Sequence, residues 1–170
     1  YDKLLISPGA VPVKPPLPGI DSPGIFTLRN VDDTDAIKSH LQTHNVRHAV
    51  VVGAGFIGLE MAENLQVTGT SVSIVEMADQ VMAPIDFSMA SLVRQHLIQK
   101  GVALYLKQAV SSFSYNNGPE ADEKGSLTLQ LQDGSRLHAD LVILSIGVRP
   151  ETKLAREAGL TIGAAGGIFV

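Results

Sequence analysis

The chain has 170 residues, enough for one domain with a sizeable core, and its 45% hydrophobic and 18% charged residues are those of an ordinary globular protein. A net charge of −4 argues against a nucleic-acid or anionic-membrane partner, and the longest nearly apolar run, 49–59, is too short and too glycine-rich to span a bilayer. There is no cysteine, which removes disulfides, thiolate metal sites and thiol nucleophiles together. No secretory or lipidation signal is visible, and the expected location is cytoplasmic.

Residues 2–6, DKLLI, predict a short strand running into SPGA. The stretch from Val11 to Gly24 holds five of the nine prolines, so it is expected to be extended and irregular, as in an interdomain connector. NVDDTDAIKSHLQTHN then predicts a helix, capped by Asp32 or Asp33, with Ala36, Ile37 and Leu41 as its apolar stripe. VRHAVVVG is a β-branched run without alternation, the pattern of a strand buried on both faces. FIGLEMAENLQVTG predicts a helix stopped by Gly69, and SVSIVE a second strand. DFSMASLVRQHLIQKG predicts a further helix, with Met89, Leu92, Val93, Leu97 and Ile98 on its buried side, followed by the strand VALYL. Asp86 and Ser88 are explained by the cap of that helix.

From there the pattern changes to AVSSFSY, a polar loop with the charged tip 120–124, SLTLQLQ, a turn at Asp133–Gly134, and RLHA. These read as antiparallel strands, and DLVILSIG as a final buried strand. The expected fold class is therefore α/β: a three-layer Rossmann-like domain with a mostly parallel sheet plus a small antiparallel β-meander.

Gly53, Gly55 and Gly58 form a G-x-G-x-x-G between a predicted strand and a predicted helix. In that setting the first glycine makes the tight turn, the second lets a pyrophosphate approach the backbone, and the third packs helix on strand. The helix start then offers free N–H groups to the phosphates. Glu76 ends the second strand eighteen residues after Gly58, where a carboxylate can accept both hydroxyls of the adenine-side ribose. It would oppose a 2′-phosphate, and no Arg or Lys follows among Met77–Gln80, so the expected cofactor is NAD(H) rather than NADP(H). Glu60 reads equally well as a solvated helix residue and as a contact to the nicotinamide end. His40 and His44 are spaced for a metal but lack a third ligand, and a solvated helix face is the simpler reading; His48, His96 and His138 form no constellation.

The ordered motifs resemble the pyridine nucleotide–disulfide oxidoreductase family of flavoproteins, in the branch of NADH oxidases, coenzyme A-disulfide reductases and persulfide reductases. YDKLLISPGA looks like the end of the family's first FAD-binding stretch, with Ser7-Pro8-Gly9 where alanine-threonine-glycine is usual. VVVGAGFIGLEMAENL looks like the fingerprint of its central NAD(H) domain, VEMADQVMAPID like the segment after the second strand, and LVILSIGVRPET like the strand returning to the FAD domain. GGIFV looks like the start of the second FAD stretch.

The resemblance implies that Phe56 is the gate over the flavin, that Ile57 packs near the same ring, and that Glu60 meets the nicotinamide carboxamide. It implies Glu76 as the ribose acid and Gly147, with Ile146, beside the nicotinamide; Ser7–Gly9 and Arg149 would fall near the FAD-domain boundary. It divides the chain into a connector from the FAD domain (1–29), the NAD(H)-binding domain (30–148) and a return segment (149–170). The implied partners are NADH and the FAD-binding and dimerisation domains of a full-length homodimer. The family's redox cysteine falls upstream of this chain, so the chain alone is expected to be inactive. The alternatives are a stand-alone NAD(H)-sensing domain and an S-adenosylmethionine-dependent methyltransferase; the third glycine, Gly58, favours a dinucleotide over the latter.

Overall fold

The computed structural model describes residues 1–116 and 126–170. Its centre is a five-stranded, wholly parallel sheet in the order β2–β9–β3–β4–β5. These strands are β2 (Ile25–Thr27), β3 (His48–Val52), β4 (Ser71–Glu76), β5 (Ala103–Leu106) and β9 (Leu141–Leu144). Helices α1 (Val31–Thr43), α2 (Phe56–Val67) and α3 (Phe87–Gln99) cover one face. The antiparallel meander β6 (Val110–Tyr115), β7 (Leu127–Leu131) and β8 (Arg136–Ala139) covers the other. A separate ribbon pairs β1 (Ala10–Pro12) with β10 (Val148–Pro150), and a short α4 (Lys153–Glu157) follows. No helix among the described residues is long and apolar enough to cross a membrane.

Alternation within β3 explains the three layers. Ala49 and Val51 join the helix-side core, whereas Val50 and Val52 join the meander-side core. Because both sets are apolar, the strand reads in sequence as an unbroken hydrophobic run. Each valine so buried contributes about 1.5–3 kcal/mol relative to exposure.

Several expectations need correction. Residues 2–6 form no strand; they have no strand partner among the described residues, and Leu4 and Leu5 are exposed. The cap of α1 is Asn30, which accepts from the Asp33 N–H at 2.9 Å while Asp33 reaches back to the Asn30 N–H. Asp33 therefore completes a capping box rather than starting the helix. Asp86 stands at the start of α3 but its side chain makes no capping bond. The α3 stripe is narrower than its composition suggests. Ala90, Val93 and Leu97 face the core over the β5 edge, while Met89, Leu92 and Ile98 are 56%, 60% and 54% exposed. The proline-rich segment begins as strand, since Val11 and Pro12 belong to β1, and is irregular from Val13 on; it also docks, with Phe113 N–H donating to the Pro18 carbonyl at 2.8 Å and Leu17 and Ile20 packing on the meander. The charged tip at 120–124 lies outside the described residues.

Candidate nucleotide site

The glycine turn joins β3 to α2 at the carboxyl edge of the parallel sheet, where ligands of open α/β sheets bind. Gly53 has φ +105°, and a side chain there would overlap the Ser145 carbonyl oxygen. A Cβ on Gly58 would overlap the Gly53 carbonyl oxygen and stand 2.6 Å from Ser145 Oγ. Gly55 differs: its φ is ordinary and a Cβ would meet nothing within 4 Å. Two glycines thus allow the protein to pack on itself, and the middle one leaves space for something else.

That space is a cleft of about 640 Å³. Gly53, Gly55, Phe56, Ile57, Glu76 and Gly147 all line it. Gly58 lies behind the lining, buried against the turn. Glu60 does not line this cleft. It lines a neighbouring groove between α2 and α3, and Phe56 borders both. Phe56 and Ile57 are 60% and 42% exposed, and Ile146 and Val148 also present apolar surface near the mouth. Gly55 is the cap residue of α2 and supplies no side-chain bond, so the first N–H groups of the helix stay free for an acceptor.

Glu76 is fixed before any ligand arrives. One carboxylate oxygen accepts from the Ala54 N–H at 2.7 Å and the other from the Ala78 N–H at 2.8 Å. Each oxygen keeps a further lone-pair direction. The acid therefore ties the glycine turn to the loop after β4 and still has capacity for two hydroxyl donors.

Sequence reasoning missed two residues here. Ser145, just past β9, places its hydroxyl 3.0 Å from both the Val52 and Gly53 carbonyl oxygens, and its own N–H donates to Val52 at 2.8 Å. Gln108 lines the cleft beyond β5, and its N–H donates to the Glu76 carbonyl at 3.0 Å. Neither role has a local sequence signal, since each depends on how neighbouring strands of the folded sheet line up.

Four of the five histidines gather at the opposite edge of the sheet, while His96 lies on α3 beside the groove that Glu60 lines. His40 Nε2 bonds the Asp140 carbonyl at 3.0 Å, and its ring stacks on His44 with centroids 4.1 Å apart. His48 reaches the His138 carbonyl and the Ser73 hydroxyl at 2.7 and 2.8 Å. The solvated face expected for His40 and His44 is thus a partly buried clasp at His40. Burial is the main cause holding the His40 pKa below its ordinary value, and neighbouring His44 adds to it. Among the described residues no group of three or more His, Cys, Asp or Glu could hold a metal.

At the ribbon, Glu151 N–H donates to the Gly9 carbonyl at 2.9 Å. Arg29 donates to the Pro8 carbonyl at 3.2 Å and pairs with Glu151 at 3.7 Å. The segments 7–9 and 149–151 are therefore side by side.

The NADH oxidase of Methanocaldococcus jannaschii is 37% identical over 164 residues, which cover 96% of this chain and 35% of that protein. The reduced CoADR-RHD of Bacillus anthracis matches in structure with a TM-score of 0.86 at 45% identity, covering 98% of this chain and 28% of the other. The water-forming NADH oxidase of Lactobacillus brevis, solved bound to NADH, matches with a TM-score of 0.83 at 31% identity, covering 98% and 35%. The chain spans between 17% and 36% of the length of the curated relatives it matches. The sequence profile of the pyridine nucleotide-disulphide oxidoreductases matches residues 1–170, so the glycine turn, the anchored acid and the three-layer fold are those of a chain that belongs to that family.

Proposed function

We propose that this chain is the NAD(H)-binding unit of a FAD-dependent pyridine nucleotide–disulfide oxidoreductase. Residues 30–148 carry the nucleotide site, and 1–29 and 149–170 connect it to a FAD domain. The observation that carries this reading is Glu76, held by two backbone N–H groups beside the open space at Gly55. The anchored carboxylate meets the ribose hydroxyls of NADH and repels the 2′-phosphate of NADPH. The uncapped start of α2 takes the pyrophosphate. Gly147 and Ile57 flank the nicotinamide, Glu60 reaches its carboxamide from the adjoining groove, and Phe56 covers the entrance until the cofactor arrives.

Bound NADH supplies a hydride, which in the whole protein passes to FAD and on to a disulfide, persulfide or oxygen acceptor. This chain has no cysteine, so its own share is to bind and orient the donor. The apolar mouth formed by Phe56, Ile57 and Ile146 suits a second, flat apolar surface of the same protein. We include a cytoplasmic homodimer in the proposal on the strength of the family resemblance.

Calorimetric titration of the chain with NADH and NADPH tests the reading. NADH is expected to bind tighter, and Glu76→Ala to weaken NADH binding at least tenfold. Tighter NADPH binding, or an unchanged NADH affinity in that variant, overturns the assignment of Glu76.

A further inference from the structure

Among the described residues, one buried side-chain polar atom has no hydrogen-bond partner: Gln108 Oε1. An unpaired buried acceptor costs about 1–3 kcal/mol, so a native protein that keeps one needs a reason. The assignment of the two amide ends is fixed. Gln108 Nε2 donates to Asp133 Oδ2 at 2.9 Å, and Asp133 is itself held by the Ser135 N–H and hydroxyl at 2.9 and 2.6 Å. A carboxylate accepts only, so the nitrogen must face Asp133 and the oxygen must point elsewhere.

Gln108 is also placed where a ligand group would come. It lines the cleft, and its backbone N–H holds the carbonyl of Glu76. Along the carboxyl edge of the sheet the order is β9, β3, β4, β5, which sets Ile146 and Gly147, Gly53, Glu76 and then Gln108 in a row. Adjacent strands are about 4.8 Å apart, so the row spans roughly 14 Å, the reach of an extended dinucleotide. With the pyrophosphate over the glycine turn and the ribose at Glu76, the next group outward is the base. Adenine has one donor group, its exocyclic amine.

We propose that Gln108 Oε1 is the acceptor that reads the 6-amino group of the adenine base, with Asp133 as the positioning residue that aims it. This rests on the dinucleotide reading above and adds a base-recognising contact to it. Oε1 is covered in the free chain, so this contact requires the amide to turn about its Nε2–Asp133 bond as the base enters. The orphan acceptor of the free protein is then satisfied by the ligand. A 6-oxo base would set oxygen against oxygen.

The test compares NADH with reduced nicotinamide hypoxanthine dinucleotide, which carries the 6-oxo group, by calorimetric titration of the chain. The chain is expected to bind NADH about tenfold tighter. Gln108→Leu is expected to bring the two within about twofold, by weakening NADH alone. Asp133→Ala, a change at an exposed turn outside the cleft, is expected to reduce the preference in part; this arm does not depend on how Gln108→Leu folds. Equal binding of the two dinucleotides by the unmodified chain, or a preference that survives in both variants, overturns the inference and leaves the NAD(H) site standing. Binding of neither dinucleotide overturns the NAD(H) reading itself, and the inference with it.

Discussion

Helices α1 and α2 lie on the same face of the same sheet, and their starts are built in opposite ways. The start of α1 is closed. Asn30 and Asp33 cap one another's backbone N–H groups, and Asp32 and Asp33 place negative charge in the first turn. The start of α2 has neither a capping side chain nor an acid in its first turn. The first arrangement meets the needs of a helix end from within the chain; the second leaves them to a ligand. A capping bond contributes about 1 kcal/mol, so forgoing it is a measurable sacrifice of stability. Because α3 also starts without a capping bond or a first-turn acid, the contrast points to a ligand only together with the open space at Gly55.

The largest effect is expected where the α2 start is broken outright. Gly58→Ala drives a methyl group into the Gly53 carbonyl, which should destabilise the chain by about 3 kcal/mol and abolish NADH binding, as read by denaturant titration and calorimetry. Gly55→Ser sharpens the comparison by making α2 resemble α1. The added side chain finds open space and can cap the helix, so stability should rise by a few tenths of a kcal/mol while NADH binding weakens at least tenfold. A variant that binds normally would show that the space at Gly55 is not the phosphate site. Asn30→Ala is the converse change. It should cost about 1 kcal/mol in the same denaturant titration and leave NADH affinity untouched.

The smallest effect belongs to the far end of α1. Burial holds the His40 pKa below its ordinary value, so the unfolded chain binds its proton more readily than the folded one. The stabilisation from a neutral His40 is therefore fully present above the unfolded value of 6.5 and is lost as pH falls through the lower folded value. His40→Gln should flatten stability against pH in that window, with NADH affinity unchanged.

How much of this could be read in the sequence depended on the range of the forces involved. The β3–α2–β4 unit was legible because its determinants are local: an apolar run, three glycines and a terminal acid within one stretch of chain. The capping box of α1 was nearly legible, but Asp33 reads equally well as a cap and as a third-position acid until the backbone is seen. The α3 stripe was misread because apolar residues surround that helix, and composition does not say which of them faces the edge strand. The three-residue strands β1, β2 and β10 carry almost no periodicity; they exist through partners more than a hundred residues away. Ser145 against Gly53, Gln108 against Glu76 and His40 against Asp140 likewise meet only once the sheet has formed, across 92, 32 and 100 positions of chain. In the site, Gly53, Gly55, Phe56, Ile57, Glu76 and Gly147 line the cleft, Glu60 lines the neighbouring groove instead, and Ser145 and Gln108, which also line the cleft, carry no local signal.

The ribbon of β1 and β10 has one more consequence. Its register sets Ala10 opposite Pro150 and Pro12 opposite Val148, and directly paired residues of antiparallel strands are only about 5 Å apart. Positions 10–12 and 148–150 thus lie side by side although 136 or more residues separate them. A module with that geometry can be spliced into a surface turn of a host fold without stretching the host's backbone. Pro12 and Pro150, which lack N–H groups, also keep the ribbon from recruiting further strands, so the splice stays narrow.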